Sequence, residues 1–166
     1  MTDPRLSRWM AAIACSVALA GCATPIVPGQ TTAAQVEQER GRPSMVWSDP
    51  DGGRTLVYTT QPMGTTCLMV KVAPDGKVVS ATDALSDAGL ARVRPGMTPE
   101  QVSRLLGPYR TVQYFPLSGE TVWDWNVDNM SGPGTATRFN VHFKDGKVVR
   151  TSRTYEFPGE LMDGPN

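Results

Sequence analysis

The sequence predicts an α+β chain of two tandem units, each with one or two short helices packed on a three- to four-stranded antiparallel sheet. Three observations predict it. Short runs alternate apolar and polar residues with period two, the mark of strands with one buried face. Two Thr-x-x-Gln boxes stand at the head of short helix-forming stretches. Two markers also recur in the same order: PGQTTAAQV (28–36) parallels PGMTPEQV (95–102), and APDGKVVSAT (73–82) parallels FKDGKVVRTS (143–152). Paired markers at similar separation predict a duplicated unit of about 50–60 residues.

The chain opens with Arg5 and Arg8, followed by an apolar run that ends near Gly21. This is the layout of a secretory signal peptide over 1–21, too short for a spanning helix of about 20 apolar residues. Leu19, Ala20 and Gly21 before Cys22 resemble the bacterial lipobox. That resemblance implies a mature chain beginning at Cys22, with a diacylglyceryl group on its thiol and an amide-linked acyl chain. Several chains together make a durable anchor, each buried methylene contributing about 0.8 kcal/mol. Ala23, where the familiar sorting rule would want Asp for inner-membrane retention, implies an outer-membrane address. Residues 22–31, with two prolines and a glycine, read as a flexible tether.

The first unit is expected over 32–82. Thr32 and Gln35 cap a short helix carrying Val36, and Gly41 and Pro43 end it. Strands are expected in SMVWSD, RTLVYTT, TCLMVKV and VVSAT. Cys67 reads as a buried strand residue. A connecting helix is expected within 82–94, with Leu85, Leu90 and Val93 inward and Gly89 weakening it.

The second unit is expected over 83–157, with a loose tail over 158–166. Thr98 and Gln101 form a capping box with Pro99 at the first helical position, and Met97 and Val102 are spaced for a hydrophobic staple. Val102, Leu105 and Leu106 share one helical side until Gly107-Pro108 stops the helix. Strands follow at 111–115, 121–127, 137–143 and 147–155. Trp123, Trp125 and Val127 alternate with Asp124 and Asn126, and Phe139, Val141 and Phe143 alternate with Arg138, Asn140 and His142. Aligned on Asp-Gly-Lys-Val-Val, Leu68, Val70 and Val72 fall out of phase with Phe139, Val141 and Phe143, so one copy carries a bulge or a different turn.

ARVRPGMTPEQVSRLLGP, followed by ETVWDW and a DGKVV hairpin, resembles the SmpA/OmlA (BamE-like) family of outer-membrane lipoproteins. The matching positions are Gly96, Met97, Thr98, Val102, Leu106, Gly107 and Trp123, with the lipobox at Cys22. The resemblance implies helices on a three-stranded antiparallel sheet in a periplasmic accessory lipoprotein without catalysis. A tandem arrangement also resembles the β-lactamase inhibitory protein architecture, two helix-on-sheet units presenting a concave polar sheet.

Composition excludes little else. Removing residues 1–21 takes Asp3, Arg5 and Arg8 from 16 acidic and 16 basic residues, leaving 15 against 14. That balance offers no basic stripe for nucleic acid. His142 is the only histidine and has no cysteine pair at ligand spacing, so neither a metal nor a cofactor is expected. Asp49-Pro50-Asp51-Gly52-Gly53 lacks the later ligands of a calcium loop and reads as a turn. Gly132-Pro133-Gly134 lacks a phosphate loop's context, and nothing beside Asp124 and Asp128 would split their pKa values. What remains is a solvated sheet surface of Asp124, Asn126, Arg138, Asn140 and His142 as a protein-partner face. The expected function is a non-catalytic outer-membrane lipoprotein on the periplasmic face. It would support outer-membrane protein assembly or envelope integrity through protein contacts. The alternative is a periplasmic binding or inhibitor module whose sheets clasp an enzyme.

Overall fold

The structure is a computed structural model and describes residues 25–127 and 136–156. The lipobox Leu19, Ala20, Gly21 and Cys22, together with Asp128, the Gly132–Gly134 stretch and the tail from 158, lies outside the described residues. In chain order the elements are α1 (Ala33–Arg40), β1 (Met45–Ser48), β2 (Arg54–Thr59), β3 (Cys67–Val72), β4 (Val78–Asp83), α2 (Asp87–Leu90), α3 (Pro99–Leu106), β5 (Thr111–Phe115), β6 (Glu120–Asn126), β7 (Ala136–Lys144) and β8 (Lys147–Glu156). They form two four-stranded antiparallel sheets, ordered β1-β2-β3-β4 and β5-β6-β7-β8.

Both capping boxes form. Thr32 accepts from the Gln35 N–H and Thr98 from the Gln101 N–H, while each glutamine side chain reaches back to its cap's N–H. The loop before each helix is latched to the last strand of its own sheet. The Gly29 N–H donates to the Val78 carbonyl (2.8 Å) and the Val78 N–H to the Thr31 carbonyl (2.9 Å); Gly96, Val148 and Met97 repeat this at 2.8 and 2.8 Å. Beyond the latch each strand bulges, with Val79 and Val149 as the extra residues. The first valine of each Val-Val pair is buried under the helix start and the second is exposed. This double use of one valine gives the repeated Asp-Gly-Lys-Val-Val its physical meaning.

With both copies bulged, the phase conflict comes from the turns. In the first unit Pro74-Asp75-Gly76 is a three-residue loop closed by Ala73 and Lys77, with Gly76 at φ +85°. In the second, Lys144 pairs with Lys147 across Asp145-Gly146, both at positive φ, the two-residue hairpin that favours such residues. One residue fewer flips the side chains of the preceding strand. Val70 and Val72 therefore face α1, whereas the positions aligned with them on Asp-Gly-Lys, Asn140 and His142, face away from α3.

The connecting helix is shorter than the sequence predicts. Thr82 and Asp83 finish β4, and α2 spans four residues from the Ser86 cap. Leu85, Leu90 and Val93 are buried as expected. A Cβ on Gly89 would lie 2.1 Å from the Ala84 carbonyl oxygen, so this glycine permits a close approach. The expected tether is also docked in part, because Ile26 packs against the first core.

The layers run α1, first sheet, α3, second sheet. Ala33 and Val36 cover Leu56, Val70, Val72 and Val78 on one face of the first sheet. Val57 and Cys67, on its other face, share a core with Val102 and Leu106 of α3 and with Trp125, Phe139, Val141 and Phe143 of the second sheet. Burial pushes the Cys67 thiol up to about 11, so it is inert at neutral pH. Arg104 lies 5.2 Å from the Trp47 ring centroid and donates to the Ser48 carbonyl (3.2 Å). The first sheet's second face is thus taken up by the second unit, and among the described residues one open sheet face is left.

Candidate functional site

That open face belongs to the second sheet. Trp125, Val127, Phe139, Val141 and Phe143 point toward α3, and Trp123 packs beside them between Tyr109 (4.5 Å) and Phe143 (4.8 Å). Period two then sends Val122, Asp124, Arg138, Asn140 and His142 to the other side. The bulge at Val149 resets β8 so that Ser152, Thr154 and Glu156 join them. These residues, with Arg110, Gln113 and Phe115 at the rim, line a shallow cavity of about 270 Å³.

The sequence predicts this face as solvated; the structure corrects that. Arg138, Asn140 and His142 are each under 10 % exposed. They sit on β7, flanked by β6 and β8, whose polar side chains lean over it. Buried polar groups require partners, and these have them. Asp124 accepts from Arg110 Nε (2.6 Å) and also contacts the Thr111 hydroxyl. Arg138 pairs with Glu156, its Nε at 3.2 Å. Asn140 Nδ2 donates to Ser152 (3.3 Å) and Thr154 (3.2 Å). Each charge on the face is met by its opposite, an arrangement suited to a hydrogen-bonding protein surface rather than to an isolated ion.

Asn126 departs from the expected set. It faces the first unit, where its Nδ2 donates to the Pro62 carbonyl (2.6 Å). Its backbone N–H donates to Gln61 Oε1 (3.1 Å) and its carbonyl accepts from Gln61 Nε2 (2.8 Å). It is a clasp between units, and its place belongs to the fold.

Sequence reading missed Glu120, Arg150 and Ser152. His142 Nδ1 lies 2.9 Å from Glu120 Oε2, and Nε2 lies 2.9 Å from Ser152 Oγ. Arg150 joins the same carboxylate at 2.8 Å. Arg150 and then His142 hold the Glu120 carboxyl below its usual range. An ionised Glu120 accepts only, so in the neutral ring Nδ1 carries the hydrogen and Nε2 accepts from Ser152. The order carboxylate, imidazole, hydroxyl matches a hydrolytic relay. Ser152 Oγ, however, also takes the Asn140 amide, which ties it into the sheet. The signal for Ser152 was hidden by the bulge, without which its phase cannot be read.

The family-motif residues form scaffold. Gly96 and Met97 make the latch, Thr98 the cap, Val102 and Leu106 the core, and Gly107 the helix end against Cys67. Asp51 is a turn residue, its carboxyl held below the usual range by the Gly53 N–H and Lys71. Among the described residues no group of three potential metal ligands gathers, and no helix is long and apolar enough to cross a membrane.

No family model matches the chain, and no curated protein matches it. Solved structures do. A candidate β-lactamase inhibitor protein from Streptococcus mutans is 11 % identical with a TM-score of 0.34, covering 75 % of this chain and 82 % of that one. A DUF4309-family protein from Bacillus subtilis is 16 % identical with a TM-score of 0.30, covering 80 % and 84 %. An extracellular protein containing an SCP domain from Bacillus anthracis is 15 % identical with a TM-score of 0.30, covering 85 % and 50 %. Similarities this distant assign no function.

Proposed function

We propose that this chain is a non-catalytic lipoprotein of the SmpA/OmlA kind, anchored through Cys22 at the periplasmic face of the outer membrane. It supports outer-membrane protein assembly or envelope integrity by binding another protein through the open face of its second sheet. The observation that carries the reading is the Leu19-Ala20-Gly21-Cys22 lipobox behind a basic, apolar leader. The polar, charge-balanced cavity around Arg138, Asn140 and His142 supplies the contact surface. Mass spectrometry of the native amino-terminal peptide tests the anchor: a thioether diacylglyceryl Cys22 is expected, and an unmodified amino terminus overturns it. Pull-down from solubilised membranes tests the contact. Envelope or barrel-assembly proteins are expected with the parent chain and fewer of them with Arg138→Ala. Recovery that the substitution leaves unchanged removes the face from the reading.

A second reading is favoured by the concavity of that same face: a module that binds or inhibits a periplasmic enzyme. A 1:1 soluble complex formed by the chain lacking residues 1–22 supports it over the first.

A further inference from the structure

A sheet edge exposes backbone N–H and C=O groups that call for another strand, and proteins blunt such edges with charge, bulges or shortness. Among the described residues, three of the four edges are blunted. β1 has four residues, β4 is bulged at Val79, and β8 carries Lys147, Arg150, Arg153 and Glu156. β5, Thr-Val-Gln-Tyr-Phe, has no charge, and all five residues are exposed. Val112 is 52 % and Tyr114 60 % exposed, and Leu117 in the following turn is fully so. Among the described residues β5 has a strand on one side only.

What fits an open edge is an extended backbone, and the side chains decide whose. This strand is complementary to itself. An antiparallel copy centred on Gln113 sets Val112 against the partner's Tyr114 and Thr111 against the partner's Phe115, each pair formed twice by symmetry. β-Branched residues opposite aromatics are stabilising cross-strand pairs, and no like charges meet. We infer that β5 pairs with β5 of a second copy of this chain, joining two second sheets into one eight-stranded sheet about a twofold axis. The two polar faces then lie on one continuous surface, doubling the area offered to a partner.

Cysteine crosslinking of the full-length protein in detergent reads the register. Gln113→Cys faces its own copy, at a Cα separation of about 4.5–5.5 Å, within disulfide reach. It is expected to give a covalent dimer on mild oxidation, above the background set by the parent chain. Val112→Cys alone is expected to stay at that background, and co-expression with Tyr114→Cys to produce the mixed dimer. Gln113→Lys puts like charges face to face, and sedimentation is expected to show it as a monomer with unchanged circular dichroism. A monomeric parent chain, or crosslinking at position 112 equal to that at 113, overturns the inference. A parent chain whose β5 is protected from hydrogen exchange only by an added foreign peptide overturns the second copy as occupant.

Discussion

Helices α1 and α3 are the same device in two settings. An offset of 66 residues matches their capping threonines, their glutamines, the buried Val36 and Val102, and the closing Gly41 and Gly107 at φ +77° and +79°. They part in the last turn, where α1 has Glu39-Arg40 and α3 has Leu105-Leu106. α1 lies on one sheet, and its last turn, Glu39 and Arg40, is exposed. α3 is held between two sheets. The two copies share the local signals that start and stop a helix, while burial decides the residues between them.

Gly107→Ala against Gly41→Ala isolates that difference at matched backbone angles. With ψ near −164° and −167°, both sites lie in a positive-φ region that is essentially reserved for glycine, and any other residue costs about 1–3 kcal/mol there. At Gly41 a Cβ would meet nothing within 4 Å, whereas at Gly107 it would lie 2.5 Å from Cys67 Sγ. Overpacking adds about 1–3 kcal/mol. Urea denaturation is expected to show a loss of about 2–6 kcal/mol for Gly107→Ala and about 1–3 kcal/mol for Gly41→Ala. Equal losses would mean that the two units do not press together at this point. Leu106→Ala follows at about 3 kcal/mol, from lost burial plus a cavity. Arg40→Ala, its counterpart, should stay within about 0.5 kcal/mol.

Much of this fold is legible because its signals are local. Alternation placed the strands, and the Thr-x-x-Gln boxes placed both helices even where Val36 was almost alone on its face. The phase conflict between Val70 and Val141 announced a bulge or a changed turn without saying which, or in which copy. The docking of the units was written more faintly, in Leu56-Val57 and in the unbroken Cys67-Leu68-Met69-Val70, runs apolar on both faces as in a strand covered twice. At the candidate site, period two gave the right side for Arg138, Asn140 and His142. Their burial could not be read, since it depends on side chains that other strands bring over β7. Asn126 shared their phase, yet its partner is Gln61, 65 residues away.

Gln61 sharpens the comparison from the joint between the units. Gln61→Leu keeps the size of the side chain and leaves the Asn126 N–H and carbonyl without that partner. Part-buried groups so stranded cost about 1–3 kcal/mol in all. Native-state hydrogen exchange is expected to show a loss of about 2 kcal/mol, shared by amides of both sheets. A loss confined to the 60–66 loop would mean that the units unfold independently and that the shared core of Val57, Cys67 and Trp125 does not couple them.

The smallest effect tests what the two copies have in common. Thr32→Ala and Thr98→Ala each remove one cap oxygen from one N–H, at 3.3 Å to Gln35 and 3.2 Å to Gln101. Loss of a threonine cap costs about 1 kcal/mol. The two values are expected to agree within about 0.5 kcal/mol, and the double variant to show their sum, since distant sites without shared partners add. A much larger loss at Thr98 would have a physical cause in a tie that the copies do not share: the Ala33 N–H donates to the Gly76 carbonyl (2.9 Å), and Pro99 at the matching position has no N–H. The cap there follows Met97, whose carbonyl takes the Val148 N–H, and a frayed start of α3 would loosen the bulge that sets the phase of Ser152 and Thr154. In that case the open face of the second sheet would depend on a helix cap, and the first unit, with an apolar strand in the same position, would not.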